Sequence, residues 1–600
     1  MAGIRRSLTI LVCLAAAAAV FAPCLTAPFL VDDVLSVPGN PSLRTLWPPW
    51  SMLAAPWENP LAGRPVVNVS FALNRAVTGL APWGFHVVNL GLHVLNGWLL
   101  FAVVRGSLAL PAAPPARLCN ADLLALAAAV LWLVHPLNTE VIAYVTQRTE
   151  ILMATFYLAT LLAAIHGWAG GRRWIAAATA ACMLGTLCKE SMVTAPLAVV
   201  LHDLAFSGLR PAAVWRRRRW LYAGLATSWI VLAAVIASGP RSGSVGFGRG
   251  ISPWDYLLTQ GWAVGRYLFL AVWPERLLVD YGDLPRTAVA DWLPGGSVVL
   301  ALVGVATLTW RRSPPLSFAI LACLLALGPT SSIVPIVTEV GAERRMYLSL
   351  APLVAGGVCL VDQACGRLVG LGLSRSGAGI LLAVILAGWG AGLGTRTWQR
   401  SADYLDPVRL WESAVAILPD NARSHSNLAA ALVHAGRDDT AEAAARRAIE
   451  LSDRAVFARA TLATILVRQG RAAEALELAR AYVSERPSAT SWFQLGNLLR
   501  RTGDDAAAIR AYEQVLDYDP RHTDTLNNLG ALVSRTAPAE ALPHLQAVLE
   551  IDPNHDQAYC NLGNVYLRLG RLAEAERCYR TALQLNPANP QARRGLDGLR

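Results

Sequence analysis

The sequence predicts an all-α protein in two parts. A polytopic membrane domain of about eleven helical spans occupies residues 1–395, and a solenoid of about five short repeats occupies 421–600. A linker with a docking helix joins them over 396–420. Three observations carry this. First, the 600-residue chain is 54% hydrophobic and 16% charged with a mean hydropathy of +0.40, too apolar for a soluble protein of this length. Second, apolar runs near span length alternate with arginine-bearing connections. Third, beyond residue 420 a Leu-Gly/Ala pair returns every 33 or 34 residues.

The first apolar run, from Leu8 to about Leu25, follows Arg5 and Arg6 and lacks a small-x-small cleavage signal, so it reads as a retained span with a cytoplasmic N-terminus. Further runs lie at about 84–104, 122–134, 151–168, 174–188, 191–206 and 220–238. The loops holding Arg105 and Arg117, Arg172 and Arg173, and Arg216 to Arg219 then all fall on the cytoplasmic side, as positive loops should. Residues 254–274 contain Gln260 and Arg266. A charge at a span centre costs about 2.5–3.5 kcal/mol on insertion scales, so this stretch is expected to be interfacial or re-entrant. Runs at about 297–310, 315–330, 346–362 and 378–394 complete the eleven and leave Arg311, Arg312, Arg367 and Arg375 inside. The C-terminal repeats are thereby expected outside. Arginine-rich, lysine-poor coding suggests a bacterial source, hence a multi-pass protein of the inner (cytoplasmic) membrane with periplasmic or extracellular repeats.

The recurring pairs are Leu428-Ala429, Leu462-Ala463, Leu495-Gly496, Leu529-Gly530 and Leu562-Gly563. This period resembles tetratricopeptide repeats, and the last unit matches that pattern at Tyr559, Leu562, Gly563, Tyr566, Ala575, Tyr579, Ala582 and Pro587. Small residues at 563 and 575 let paired helices approach, and Pro587 stops the second helix. Segment 407–418, with Trp411, reads as an unpaired helix that docks the array. Arrays of this kind usually hold extended peptides or proteins; the plainer role is to stabilise or oligomerise the chain. Cys560 and Cys578 read as packed thiols rather than a disulfide.

The net charge of +11 comes almost wholly from arginine, since Lys189 is the only lysine among 52 basic residues. The arginines cluster at span ends without interleaved aromatics, which gives no reason to expect nucleic-acid binding. No cysteine or histidine spacing suits a metal, and His135 alone reads as structural. A transporter is disfavoured because the spans show no internal duplication.

The expected external loops hold most of the unusual polar residues. Asp32-Asp33 directly follows the first span, where partial desolvation could raise a carboxylate toward a general base; helix capping is the bland alternative. Lys189-Glu190 sits between two apolar runs. Its lone ammonium suits a lipid phosphate, or it pairs internally with its neighbour. Arg344 and Arg345 break the positive-inside pattern and suit a phosphate bidentately, against simple pairing with Glu343. The polar residues from His135 to Glu150 are spaced as on a short interfacial helix, on which Glu140 and Arg148 could orient a sugar or phosphate. The Gly- and Arg-rich stretch 239–250 reads either as a lid or as a flexible loop.

Taken in order, these segments resemble one family. They are Asp32-Asp33; Gly63-Arg64-Pro65 through Ser70-Phe71-Ala72-Leu73-Asn74; and Pro82-Trp83-Gly84-Phe85-His86-Val87-Val88-Asn89 with His93 and Asn96. His135-Pro136, Thr139-Glu140, Arg148, Lys189-Glu190, Trp273-Pro274, Asp280-Tyr281, Ala342-Glu343-Arg344 and Tyr347-Leu348 follow. The chain resembles the transmembrane and tetratricopeptide repeat O-mannosyltransferases and their bacterial relatives, whose membrane domain is a GT-C glycosyltransferase. The resemblance implies inverting transfer of a sugar, mannose in the family's name, from a polyprenyl-phosphate donor to a protein hydroxyl. It implies an aspartate in the first external loop as base, a place that either Asp32 or Asp33 fits. Lys189, Arg344, Arg148 and Arg64 would offset phosphate charge, with Glu190, Arg345 and Glu140 lining the donor site, and no metal or other cofactor is implied. Two other readings compete: a non-enzymatic membrane scaffold whose repeats recruit partners, and a lipid-linked oligosaccharide ligase of related build.

Overall fold

The computed structural model describes residues 14–53, 55–56, 59–114, 118–237, 246, 251–283, 285–332, 334–336, 339–453 and 455–599. Arg5, Arg6, Arg117, the start of the first expected span and nearly all of 239–250 lie outside the described residues. Helices make up the regular structure, and the chain divides into two compact units, residues 1–419 and 420–600.

In the first unit the described parts of the expected apolar runs lie mainly in helices, but the expected count of spans is not matched. Among the described residues six helices are long and apolar enough to cross a membrane: Pro82–Leu108, Val145–His166, Pro211–Ala237, Val289–Thr309, Glu343–Val369 and Arg375–Asp403. A seventh is counted if Ala121–Leu133 and Pro136–Ala143, bent by 56° at a short break, act as one. Arg172–Thr186 and Ala195–Phe206 have 15 and 12 residues. At 1.5 Å per residue they reach roughly 22 and 18 Å, short of a hydrocarbon core of about 30 Å. Leu14–Thr26 and Pro314–Leu327 are apolar but similarly short.

Residues 254–274 form a helix, Pro253–Val272, whose polar groups are used within the protein. Gln260 donates to the Val340 carbonyl at 2.9 Å, and Arg266 to the Tyr281 hydroxyl at 3.3 Å. It lies against Val289–Thr309 so closely that a Cβ on Gly265 would sit 2.4 Å from the Gly295 Cα, and only glycine permits that approach. Arg216 to Arg219, expected in a loop, lie inside the helix Pro211–Ala237. Arg218 is buried there because Asp203 accepts its Nε at 3.0 Å and the Ala164 carbonyl its Nη2 at 2.6 Å, which offsets the desolvation of the guanidinium.

The helix Pro407–Ile417, expected to dock the repeats, clusters with the first unit: Leu410 and Tyr404 pack with Phe21, Ile142 and Ala143. The second unit contains five helix pairs, 422–451, 456–485, 489–518, 523–551 and 556–585, followed by Pro590–Asp597. The Leu-Gly signature works by size. A Cβ on Gly563 would lie 2.7 Å from the Tyr579 ring, and one on Gly496 would lie 2.7 Å from Tyr512. Each of these tyrosines fills the space the glycine leaves and donates its hydroxyl at 2.7 Å to an asparagine of the paired helix, Asn564 and Asn497 respectively. Cys560 and Cys578 are free thiols.

Candidate functional site

The two adjacent aspartates differ completely in surroundings. Val31 has φ 38°, and this turn out of the first apolar helix sends the two side chains into different environments at the start of the short helix Asp32–Ser36. Asp33 is fully buried. It accepts hydrogen bonds from the backbone N–H groups of Leu30 (3.1 Å), Val145 (3.2 Å) and Thr146 (2.7 Å) and from the Thr146 hydroxyl (2.7 Å). Burial pushes its pKa up, those donors, led by Thr146, oppose that, and the balance leaves it raised to about 7. Asp32 is half-buried. Its backbone N–H donates to the Tyr144 hydroxyl at 3.1 Å, and its carboxylate has no partner among the described residues.

Arg148 is as deeply used as Asp33. Its Nε donates to Asn89 at 2.7 Å and its Nη2 to Asn74 at 2.8 Å and to the Phe85 carbonyl at 3.0 Å, while the Phe71 ring lies 4.3 Å from its guanidinium carbon. The residues that surround it come from two helices that open with proline, Pro65–Thr78 and Pro82–Leu108. Arg345 is also spent: its Nη1 and Nη2 donate to the carbonyls of Thr330 (2.9 Å) and Glu339 (2.8 Å). The whole segment from His135 to Glu150 is buried, which corrects the expectation of a helix lying at the interface. Most of its polar groups are answered by Asp33, Asn89, Arg344 and backbone carbonyls, while Asn138 Oδ1 and Thr139 Oγ1 have no hydrogen-bond partner among the described residues.

The half-buried cations are arranged differently. Arg344 pairs with Glu140 (Nη1 to Oε1, 2.6 Å) and with Glu339, and its backbone N–H also donates to Glu140 at 3.1 Å. Glu343 takes no part in that pairing and accepts instead from the Leu278 N–H at 2.6 Å. Lys189 does not pair with its neighbour. Its ammonium meets Glu150 at the start of the helix Arg148–His166, and Glu190 meets Arg64 at 3.6 Å. Burial lowers the Lys189 pKa, Glu150 opposes that, and the charges of Arg64 and Arg344 lower it further. Arg344 and the two aspartates in turn all act on the Tyr144 hydroxyl. Asp32, Tyr144, Arg344, Lys189 and Arg64 therefore share one locality. Arg64 keeps a buried Nε with no hydrogen-bond partner among the described residues.

Sequence reasoning noted Glu150 and Glu339 among the external polar residues without giving them a role, and passed over Tyr144. Glu150 left a signal, a carboxylate at the mouth of an apolar run in a chain with one lysine to answer it. Tyr144 left none, because its role depends on tertiary placement.

Tetratricopeptide-repeat family models match residues 460–521, 493–556 and 557–589. The protein O-mannosyl-transferase Tmtc2 of Drosophila melanogaster is 30% identical over 307 residues, covering 47% of this chain and 30% of that protein. A protein O-mannosyl-transferase of Caenorhabditis elegans is 25% identical over 450 residues, covering 71% of this chain and 60% of its own. The chain thus spans 30% and 60% of the length of these two relatives. Among solved structures, YrrB, a tetratricopeptide-repeat protein with an unusual peptide-binding site, is 20% identical, covering 32% of this chain and 99% of its own at a TM-score of 0.25. The similarity to proteins named O-mannosyl-transferases, together with the repeats, supports the family resemblance drawn from the ordered motifs.

Proposed function

We propose that this chain is a multi-pass membrane glycosyltransferase that moves a sugar from a polyprenyl-phosphate donor to a protein hydroxyl on the non-cytoplasmic face, with Asp32 as general base. The observation that carries the proposal is the split between the paired aspartates. Asp33 has four protein donors and no room for substrate, whereas the Asp32 carboxylate is half-buried, without a partner among the described residues, and in the same locality as three cations.

In this reading the Asp32 carboxylate takes the proton of an acceptor serine or threonine hydroxyl as its oxygen attacks the anomeric carbon. The bond from that carbon to the phosphate oxygen breaks, and its electron pair leaves with the polyprenyl phosphate. Lys189, Arg64 and Arg344 offset the charge that develops there. Glu140, Glu150, Glu190 and Glu339 hold these cations in place before substrate arrives. Asp33, Arg148 and Arg345 are positioning residues: they tie the loop after the first helix, the segment 135–150 and the loop before residue 345 to one another. The distribution of arginine along the chain supports the external placement of this locality and of the repeats.

The test is transfer of radiolabelled sugar from a native lipid extract to protein, in membranes holding equal amounts of wild type, Asp32→Asn, Asp33→Asn or Lys189→Ala. Loss of label with Asp32→Asn and Lys189→Ala in correctly folded protein is expected. Equal labelling by all four, or none by any with authenticated donor and acceptor, would move the assignment to a membrane-anchored scaffold.

A further inference from the structure

The helix Pro211–Ala237 carries a groove along one face. Its residues Trp215, Arg219, Tyr222, Ala226 and Trp229 recur at the three- and four-residue spacing that places them on one side of a helix. Across from them stand Pro196, Leu197 and Val200 of the helix Ala195–Phe206, and together they line a groove of about 490 Å³. Residue size makes it, since Ala223 and Ala226 occupy its middle and tryptophans stand towards both ends. Trp215 and Trp220 at one end are 60% and 70% exposed, so the groove opens outward there. Trp229 at the other end is fixed by donating its Nε1 to the Val193 carbonyl at 2.9 Å. The opposite face of the helix is packed: a Cβ on Gly224 would lie 2.5 Å from the Thr179 hydroxyl.

Charge at the Trp215 end is one-sided. Across residues 151–188 and 191–237 Asp203 is the only acidic residue, and it is already used by Arg218 and by the Tyr222 hydroxyl, which donates to it at 2.8 Å. Arg219 lines the groove and Arg216 lies one turn before it. Both are exposed, and neither has an ion pair among the described residues. Arg217 donates to the Trp168 carbonyl at 2.9 Å, which brings the turn before the exposed Arg172 and Arg173 to the same end. From Trp215 to Trp229 the helix rises about 21 Å, more than the roughly 15 Å of hydrocarbon in one leaflet. A fatty-acyl chain fits along such a groove with its phosphate at the guanidinium end, where arginine binds phosphate bidentately and tryptophan sits at headgroup level. Arginines that only set topology, or tryptophans that only anchor a span, would need no groove between them.

We propose that this groove is a binding site for one anionic phospholipid of the leaflet at its arginine end, the cytoplasmic leaflet by the distribution of arginine, with an acyl chain along Ala223 and Ala226 and the phosphate on Arg216 and Arg219. The site shares no residue with the locality around Asp32 and does not rest on the transferase reading.

The test uses the full chain in detergent micelles, titrated with dioleoyl phosphatidylglycerol or dioleoyl phosphatidylcholine and read by native mass spectrometry as the first bound lipid. Phosphatidylglycerol is expected to bind more tightly by roughly tenfold or more. Arg216→Gln with Arg219→Gln should remove that preference, while Arg311→Gln, at an exposed arginine after the helix Val289–Thr309, should leave it. Ala223→Phe fills the middle of the groove without changing charge and should weaken phosphatidylglycerol by about fivefold. Residue 223 is exposed, so helicity by circular dichroism and the thermal midpoint should stay at the wild-type values. Arg219→Gln alone, expected to lose part of the preference, guards against misfolding of the double variant. Equal binding of the two lipids, no binding of either, a preference that survives the double substitution or falls equally with Arg311→Gln, or unchanged binding by folded Ala223→Phe would each overturn the proposal. So would tighter binding of undecaprenyl phosphate that is lost with Ala223→Phe, which would make the groove a polyprenyl site.

Discussion

Arg148 reaches Asn89 and Asn74 across 59 and 74 residues of sequence and is wholly buried, whereas Arg535 in the repeats meets Asp505 across 30 residues, one repeat, with both side chains at least a third exposed. The first unit uses each polar contact once, in an environment where an unanswered donor or acceptor is costly. The second repeats a contact type along its length, where water can replace it. Polar chemistry in the membrane unit is therefore indivisible, while in the repeats it is modular.

The largest effect that could break this comparison is at Asp32. Asp32→Asn is expected to lower transfer by about 10²–10⁴-fold, the usual worth of a general base, without moving the thermal midpoint in detergent. A fall in stability with activity retained would place Asp32 with the buried, structural group instead. Next comes Arg148→Met, which leaves two asparagine oxygens and the Phe85 carbonyl without their donor and should cost about 3 kcal/mol or more of stability. Denaturation in mixed micelles would show it.

In the repeats, Gly563→Ala should cost up to about 2 kcal/mol, overpacking against Tyr579 exceeding the gain in helix propensity. A stabilised variant would mean that Tyr579 can move aside. A pH series sharpens the contrast further. With its folded pKa raised to about 7, above the ordinary carboxylate value of about 4, Asp33 contributes stability that is complete below about pH 4 and is lost as pH rises through 7. The midpoint should fall between pH 5 and 8 in wild type, and Asp33→Asn should lack that slope. Smallest is Arg535→Gln, about 0.5 kcal/mol or less for an exposed pair, measurable only as a slight shift of the melting curve.

The repeat architecture was legible almost residue by residue, since a Leu-Gly pair followed 16 residues later by tyrosine states a local packing rule that recurs. Helix positions in the membrane unit were legible too, because hydropathy marks them. Span number was not: the helices Arg172–Thr186 and Ala195–Phe206 fall in expected apolar runs but have only 15 and 12 residues, and neither is among the six helices long and apolar enough to cross a membrane. Of the candidate site, the residue types could be read but not their division of labour. Asp32 and Asp33 are chemically identical in sequence, and three of the four donors that set Asp33 apart come from Thr146 and Val145, more than a hundred residues away. The same holds for Lys189, whose partner proves to be Glu150 rather than the adjacent Glu190.

The bond pair between Asp33 and Thr146 also bears on descent. A carboxylate one methylene longer at 33, or a loss of the hydroxyl at 146, would each strand buried donors or lone pairs on the other side. Lineages should therefore cross between alternatives at these two positions together or not at all, and an ancestral reconstruction of this locality that changes one without the other would be expected to fold poorly.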